Sequence, residues 1–161
     1  MRLGFIGTGK IAASVITGIC KSKMHSDEIL ISSRNKLTSQ NLKKKFKKLV
    51  ICKDNQEIVN SCNWVFLSVT PKVGEKIIKN LKFRPNQTII SFISTINLAQ
   101  LKKAIKVKAN IVRAIPLPPI SLMKGPVPIC PPNKKVKDFF NKIGTTVEIK
   151  NEKFSINFWS T

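Results

Sequence analysis

Short apolar runs recur along the chain, each followed by a stretch whose apolar positions return every three or four residues. The runs near 3–6, 29–32, 49–52, 64–69, 88–93 and 110–114 read as strands. The intervening patterns near 10–22, 37–47, 55–61, 73–80 and 98–105 read as helices. Strands that are apolar at nearly every position are buried on both faces. Their alternation with helices predicts parallel βαβ units with right-handed crossovers and helices on both sides of the sheet. A further strand near 126–129, helix near 134–142 and strand near 145–149 follow, with Gly144 expected to stop the helix. Between the two parts, Pro116-Leu117-Pro118-Pro119 is expected to be neither helix nor central strand. The pattern predicts an α/β protein: a doubly wound parallel sheet with an appended βαβ edge, one domain over residues 1–150.

The first strand–helix junction carries the most chemistry. Leu3-Gly4-Phe5-Ile6 runs into Gly7-Thr8-Gly9, and Lys10-Ile11-Ala12 opens the helix. This G-x-G-x-x-A spacing after a buried strand is the form of a dinucleotide-binding, Rossmann-type turn. Gly7 permits the sharp turn, Gly9 lets backbone approach a pyrophosphate with no Cβ in the way, and Ala12 keeps helix and strand close. The helix N-terminus adds unpaired N–H groups and partial positive charge. Gly7, Thr8, Gly9, Lys10 and Ile11 are the candidate coenzyme contacts here.

The second junction bears on which dinucleotide is bound. A carboxylate at the end of the second strand accepts hydrogen bonds from the ribose hydroxyls of NAD. Here Ile29-Leu30-Ile31-Ser32 ends in Ser33-Arg34-Asn35, with no carboxylate. Arg34 can pair with a 2′-phosphate, and the Ser33 and Asn35 side chains can hydrogen-bond to it, so NADP is the expected cofactor. A plainer role is also open: Asn35 or Thr38 as the cap of the next helix.

Composition changes this picture little. The 161 residues suit one domain with a real core and are short for a two-domain enzyme. No apolar run approaches membrane-spanning length, and the opening strand leads straight into the glycine turn, so neither a membrane span nor a signal peptide is expected. Cys20, Cys52, Cys62 and Cys130 form no C-x-x-C pair and His25 is the sole histidine, so free thiols in a reducing cytoplasm are expected and no metal site. The net charge of +21 would ordinarily point to a polyanion. The lysines, however, lie on the polar sides of helical patterns. In Lys43-Lys44-Lys45-Phe46-Lys47-Lys48, the residues Leu42, Phe46 and Leu49 fall at helical spacing, an amphipathic helix with a solvated face. No base-stacking platform accompanies them, so no specific nucleic acid is expected; nonspecific attraction at low salt follows from charge alone.

Taken in order, these segments resemble the N-terminal NADP-binding domain of the pyrroline-5-carboxylate reductase family. Gly4-Phe5-Ile6-Gly7-Thr8-Gly9-Lys10-Ile11-Ala12 is similar to the family's opening and Ser33-Arg34-Asn35 to its phosphate-selecting turn. Asp54-Asn55 resembles the segment that meets the adenine ribose. Val65-Phe66-Leu67-Ser68-Val69-Thr70-Pro71-Lys72 resembles the fourth strand and the turn beneath the cofactor. The resemblance therefore adds Asn55, Val69, Thr70 and Pro71 to the candidate contacts. Ile89-Ile90-Ser91, Leu98-Ala99-Gln100-Leu101 and Val112-Arg113-Ala114-Ile115-Pro116 match the fifth and sixth units.

There are departures. Thr70 stands where the family usually has Lys, with Lys72 two places on, and Thr95 replaces a common glycine. The family's Met-Pro-Asn-Thr-Pro beside the nicotinamide reads Ile115-Pro116-Leu117-Pro118-Pro119, an apolar, stiff wall that leaves the substrate open.

The resemblance implies hydride transfer from NADPH to an imine-type, C=N small-molecule substrate. It also implies a C-terminal helical domain that forms a homodimer and encloses the substrate. Residues 151–161, including Phe158 and Trp159, read as the start of a linker to such a domain, absent from this sequence. No catalytic residue is nominated: His25 reads as a surface residue after the first helix, and Asp54, Glu57 and Glu75 as helix-start or surface acids. The alternatives are a stand-alone, non-catalytic NADP-binding or regulatory module, and a basic nucleic-acid-binding protein on the same fold.

Overall fold

A computed structural model describes residues 1–24 and 28–155 of the chain. The strands are β1 (Leu3–Ile6), β2 (Ile29–Ser32), β3 (Leu49–Cys52), β4 (Trp64–Leu67), β5 (Thr88–Ser91), β6 (Asn110–Ala114), β7 (Pro126–Cys130) and β8 (Thr145–Glu148). The helices are α1 (Lys10–Lys21), α2 (Lys36–Lys45), α3 (Asn55–Ser61), α4 (Pro71–Asn80), α5 (Leu98–Ile105) and α6 (Lys134–Phe140). The strands form one sheet in the order β3-β2-β1-β4-β5-β6-β7-β8. Strands β1 to β6 are parallel, with Leu3 level with both Ile29 and Trp64. The chain winds outward from β1 in one direction and returns to β4 on its other side. That reversal opens a crevice at the carboxyl ends of β1 and β4, the place where such sheets bind ligands.

Alternation along the central strands divides the core in two. Leu3, Phe5, Trp64 and Phe66 face one layer with α1, α2 and α6, whereas Ile6, Val65 and Leu67 face the other with α3, α4 and α5. The Phe5 and Phe66 rings stack at 4.4 Å across β1 and β4, and Phe139 from α6 packs against Phe66 and Trp64. Gly4 is required in β1 because a Cβ there would strike Ile58 of α3 and Cys62 just past its end.

Four expectations need correction. The proline-rich link forms a 3-10 helix over Pro118–Leu122. Proline is tolerated in a first helical turn, where the N–H it lacks would have no partner. This link folds back over α1 instead of crossing the sheet as a helix, so β7 joins β6 antiparallel; the appended unit itself, β7-α6-β8, is parallel. Helix α2 stops at Lys45, because the backbone at Phe46 is already extended, so Phe46 and Leu49 do not continue its apolar face; β3 begins at Leu49, as the strand expected near 49–52 requires. Gly144 does not stop α6, which ends at Phe140. A Cβ on Gly144 would meet the Gly125 carbonyl at 2.9 Å, so glycine serves a close approach between the loops flanking β7 and β8.

Residues 151–155 return to the sheet. Arg113, buried in β6, donates from Nη1 to Glu152 at 2.6 Å and from Nη2 to the Ser94 carbonyl at 2.7 Å. Glu152 in turn accepts from the Leu98 N–H at the start of α5. His25 and the terminal Phe158 and Trp159 lie outside the described residues.

Candidate functional site

The crevice is built from three loops. In the β1–α1 loop, Gly7 sits at φ +100°, a conformation that favours glycine, and a Cβ there would meet the Ser68 carbonyl at 2.7 Å. Gly9 caps α1 with its backbone alone, accepting from the Ala13 N–H at 3.0 Å. A Cβ on Gly9 would meet no atom within 4 Å and would project into the open crevice. No side chain caps α1 and no acid stands in its first turn, so its N–H groups and positive end face the opening.

Buried hydroxyls hold this loop in place, and the sequence reading missed them. Ser32, at the end of β2, accepts from the Gly7 N–H at 2.9 Å. The Ser39 hydroxyl of α2 lies 2.7 and 2.8 Å from the carbonyls of Ser32 and Asn35, which share its single proton, and 3.4 Å from the Thr8 hydroxyl. Ser68, after β4, donates to the Gly7 carbonyl at 2.8 Å. The available signal was a serine ending an apolar strand, with another seven residues on at the first buried position of α2.

Two adjoining cavities follow. The larger, about 590 Å³, is lined by the Gly7-Thr8-Gly9 turn, Arg34-Asn35-Lys36 and Ser68-Val69-Thr70, with Val73. The smaller, about 470 Å³, lies beyond Arg34, between it with Asn55 and one face of α4. Arg34 and Val73 line both, so the two form one groove across the ends of β1, β2 and β4.

The structure thus brings Gly7, Thr8, Gly9, Arg34, Asn35, Asn55, Val69 and Thr70 to one groove. Lys10, Ile11, Ser33 and Pro71 adjoin it in the chain but do not line it. Asn35 does take the capping role, accepting from the Thr38 N–H at 3.2 Å, while Ser33 points toward the Lys53 carbonyl. Neither cavity is lined by a carboxylate. A turn with no Cβ at Gly7 or Gly9, an uncapped helix N-terminus and an exposed guanidinium at the end of β2 fit the phosphates of a dinucleotide.

Cysteine chemistry does not enter the groove, whose lining holds no thiol. Burial, reinforced by Glu57, pushes the Cys52 thiol up to about 12, and burial pushes Cys62 up to about 11. Burial also raises Cys20 and Cys130. All four are free thiols, protonated at neutral pH. Among the described residues, no cluster of side chains could hold a metal ion.

Residues 2–97 match the family model described as NADP oxidoreductase, coenzyme F420-dependent. The chain belongs to this family. The matched residues run from β1 past the β2–α2 junction to the start of α5, so the family's NADP-binding oxidoreductase domain is what the chain carries.

Among curated proteins, it is 28% identical over 130 residues to pyrroline-5-carboxylate reductase 3 of Danio rerio, covering 78% of this chain and 44% of that protein. It is 26% identical over 158 residues to the pyrroline-5-carboxylate reductase of Synechocystis, covering 92% and 58%. Among solved structures, the pyrroline carboxylate reductase of Plasmodium falciparum with NADP bound superposes with a TM-score of 0.82 at 24% identity, over 97% of this chain and 60% of that one. The Streptococcus pyogenes 1-pyrroline-5-carboxylate reductase gives 0.76 at 23%, over 95% and 59%. The resemblance read from the sequence is borne out, and the doubly wound fold with it. The chain spans about half the length of these curated relatives.

Proposed function

We propose that this chain is the coenzyme-binding part of an NADP-dependent reductase of the pyrroline-5-carboxylate reductase type. When bound, NADPH supplies a hydride from its nicotinamide ring to the carbon of a C=N bond. The chain's own contribution is binding and orientation. The Gly7–Gly9 turn and the N-terminus of α1 receive the pyrophosphate, and Arg34 with Asn35 takes the 2′-phosphate. Asn55 would meet the adenine ribose, and Val69 and Thr70, with Pro71 next to them in the chain, would underlie the nicotinamide half. An iminium substrate already carries positive charge, so no dedicated proton donor is required of these residues.

The observation that carries the preference for NADP is Arg34, which lines both halves of a groove that no carboxylate lines. In a reductase of this type, substrate enclosure and the homodimer that completes it would call for a C-terminal helical domain. The free thiols suit the reducing cytoplasm, and among the described residues no helix is long and apolar enough to cross a membrane. A module that binds NADP without turnover is the alternative.

Calorimetric titration with NADPH and NADH near physiological salt tests the reading. The chain should prefer NADPH, and Arg34→Ala should weaken NADPH about tenfold or more while changing NADH little. An equal loss for both would remove Arg34 as the selecting residue. NADPH consumption with cyclic imines separates reductase from silent module.

A further inference from the structure

We propose that α4 supplies a second set of phosphate-selecting cations, Lys72 and Lys76, which hold the 2′-phosphate from the side opposite Arg34. This rests on the NADP reading and extends it from one loop to two elements.

The smaller cavity is lined from α4 by Lys72, Val73, Lys76, Ile77 and Asn80, with Leu81 just past the helix end. These positions form two rows at four-residue spacing, Lys72-Lys76-Asn80 and Val73-Ile77-Leu81. Side chains four apart lie one above the other on a helix face, so a polar ridge and an apolar ridge run side by side along the groove for ~12 Å. The apolar ridge offers a wall to a flat base. The polar ridge, with Arg34 and Asn55 across the cavity, offers charge and hydrogen bonds to a phosphorylated ribose.

Electrostatics argue that this arrangement awaits an anion. Lys72 and Lys76 are like charges at helical i,i+4 spacing, a mildly repulsive pair, and they share the cavity with the Arg34 guanidinium. Two lysines of α6 have carboxylates beside them: Lys134 meets Asp138 at 3.1 Å and Lys137 meets Glu148 at 3.0 Å. Here three cations line one cavity of about 470 Å³ with no carboxylate among the lining residues. A dianionic phosphate placed between them relieves the repulsion and pairs with all three. A ribose 2′-hydroxyl gains nothing comparable, so the arrangement discriminates as well as binds.

The test uses the adenosine half alone, so it does not depend on catalysis. Binding of 2′,5′-ADP and 5′-AMP is measured calorimetrically for the wild-type chain, Lys72→Gln/Lys76→Gln and Arg34→Ala. The double variant should weaken 2′,5′-ADP about tenfold or more and leave 5′-AMP within about twofold. It should also flatten the salt dependence of 2′,5′-ADP binding, and Lys76→Arg should retain the preference. These lysines are exposed, so an unchanged melting temperature verifies the fold. If the double variant leaves the 2′,5′-ADP to 5′-AMP ratio unchanged while Arg34→Ala collapses it, selection resides in the β2–α2 loop and the proposal falls alone. If the wild-type chain shows no preference for 2′,5′-ADP, the proposal and the NADP reading fall together.

Discussion

At the residue scale, the two glycines of the first turn do different work, and substitution should separate them. Gly9 has open space where a Cβ would stand, so Gly9→Val should fold normally yet weaken NADPH by ~100-fold, because the added bulk occupies the pyrophosphate's place. Gly7 has a positive φ and a Cβ position hard against the Ser68 carbonyl, so Gly7→Ala should cost about 1–3 kcal/mol of stability. Melting curves alongside NADPH titrations distinguish the outcomes; a Gly9→Val chain that melted early would contradict the assignment. Both glycines are legible in the sequence because the motif is local. Ser32 and Ser39 are not: each is an ordinary polar residue until the fold sets it beside the Gly7 amide or the Thr8 hydroxyl.

At the scale of elements, the most demanding contact joins α1 to the 3-10 helix after β6. A Cβ on Gly18 would strike the Ile120 carbonyl, and Ile120 itself is buried against α1. Gly18→Ala should therefore push the 3-10 helix outward at a cost of about 1–3 kcal/mol, read as a lowered midpoint in urea. An unchanged midpoint would mean that this link accommodates the methyl group freely. The strands and helices themselves are legible from periodicity because β1, β2, β4, β5 and β6 are buried at nearly every position, the edge strand β3 is apolar throughout although Ile51 is exposed, and the helices between them are buried on one face. The 3-10 helix and the antiparallel entry of β7 are not. Prolines exclude a helix interior but not a first helical turn, so composition alone does not show the 3-10 helix, and strand direction depends on whether the link crosses the sheet or folds back.

At the scale of the molecule, the buried thiols give stability a specific dependence on alkaline pH. Below about pH 9 both folded and unfolded chains keep the thiol protons, and the stability is fully present. As pH rises toward 11–12, the unfolded chain releases protons that Cys52 and Cys62 retain in the folded state. The unfolded state then binds fewer protons, so stability falls with rising pH. Denaturant midpoints measured between pH 8 and pH 11 should decline in the wild-type chain and decline less in Cys52→Ala. Equal slopes would assign the loss to other groups.

The strand–helix order, the doubly wound class and the glycine turn are properties of the sequence by itself, since each depends on neighbours within a few positions: burial period, backbone freedom, a missing Cβ. The cysteine count, the net charge of +21 and the missing carboxylate at the β2–α2 junction are equally local facts. Only the tertiary structure decided which of these residues share a groove. It placed Arg34 opposite Lys72 and Lys76 from a distant helix, seated Ser32 against Gly7, and tied Glu152 to Arg113. The reason is geometric. The reversal of strand order between β1 and β4 brings together loops that are far apart in the chain, and no local pattern records that meeting.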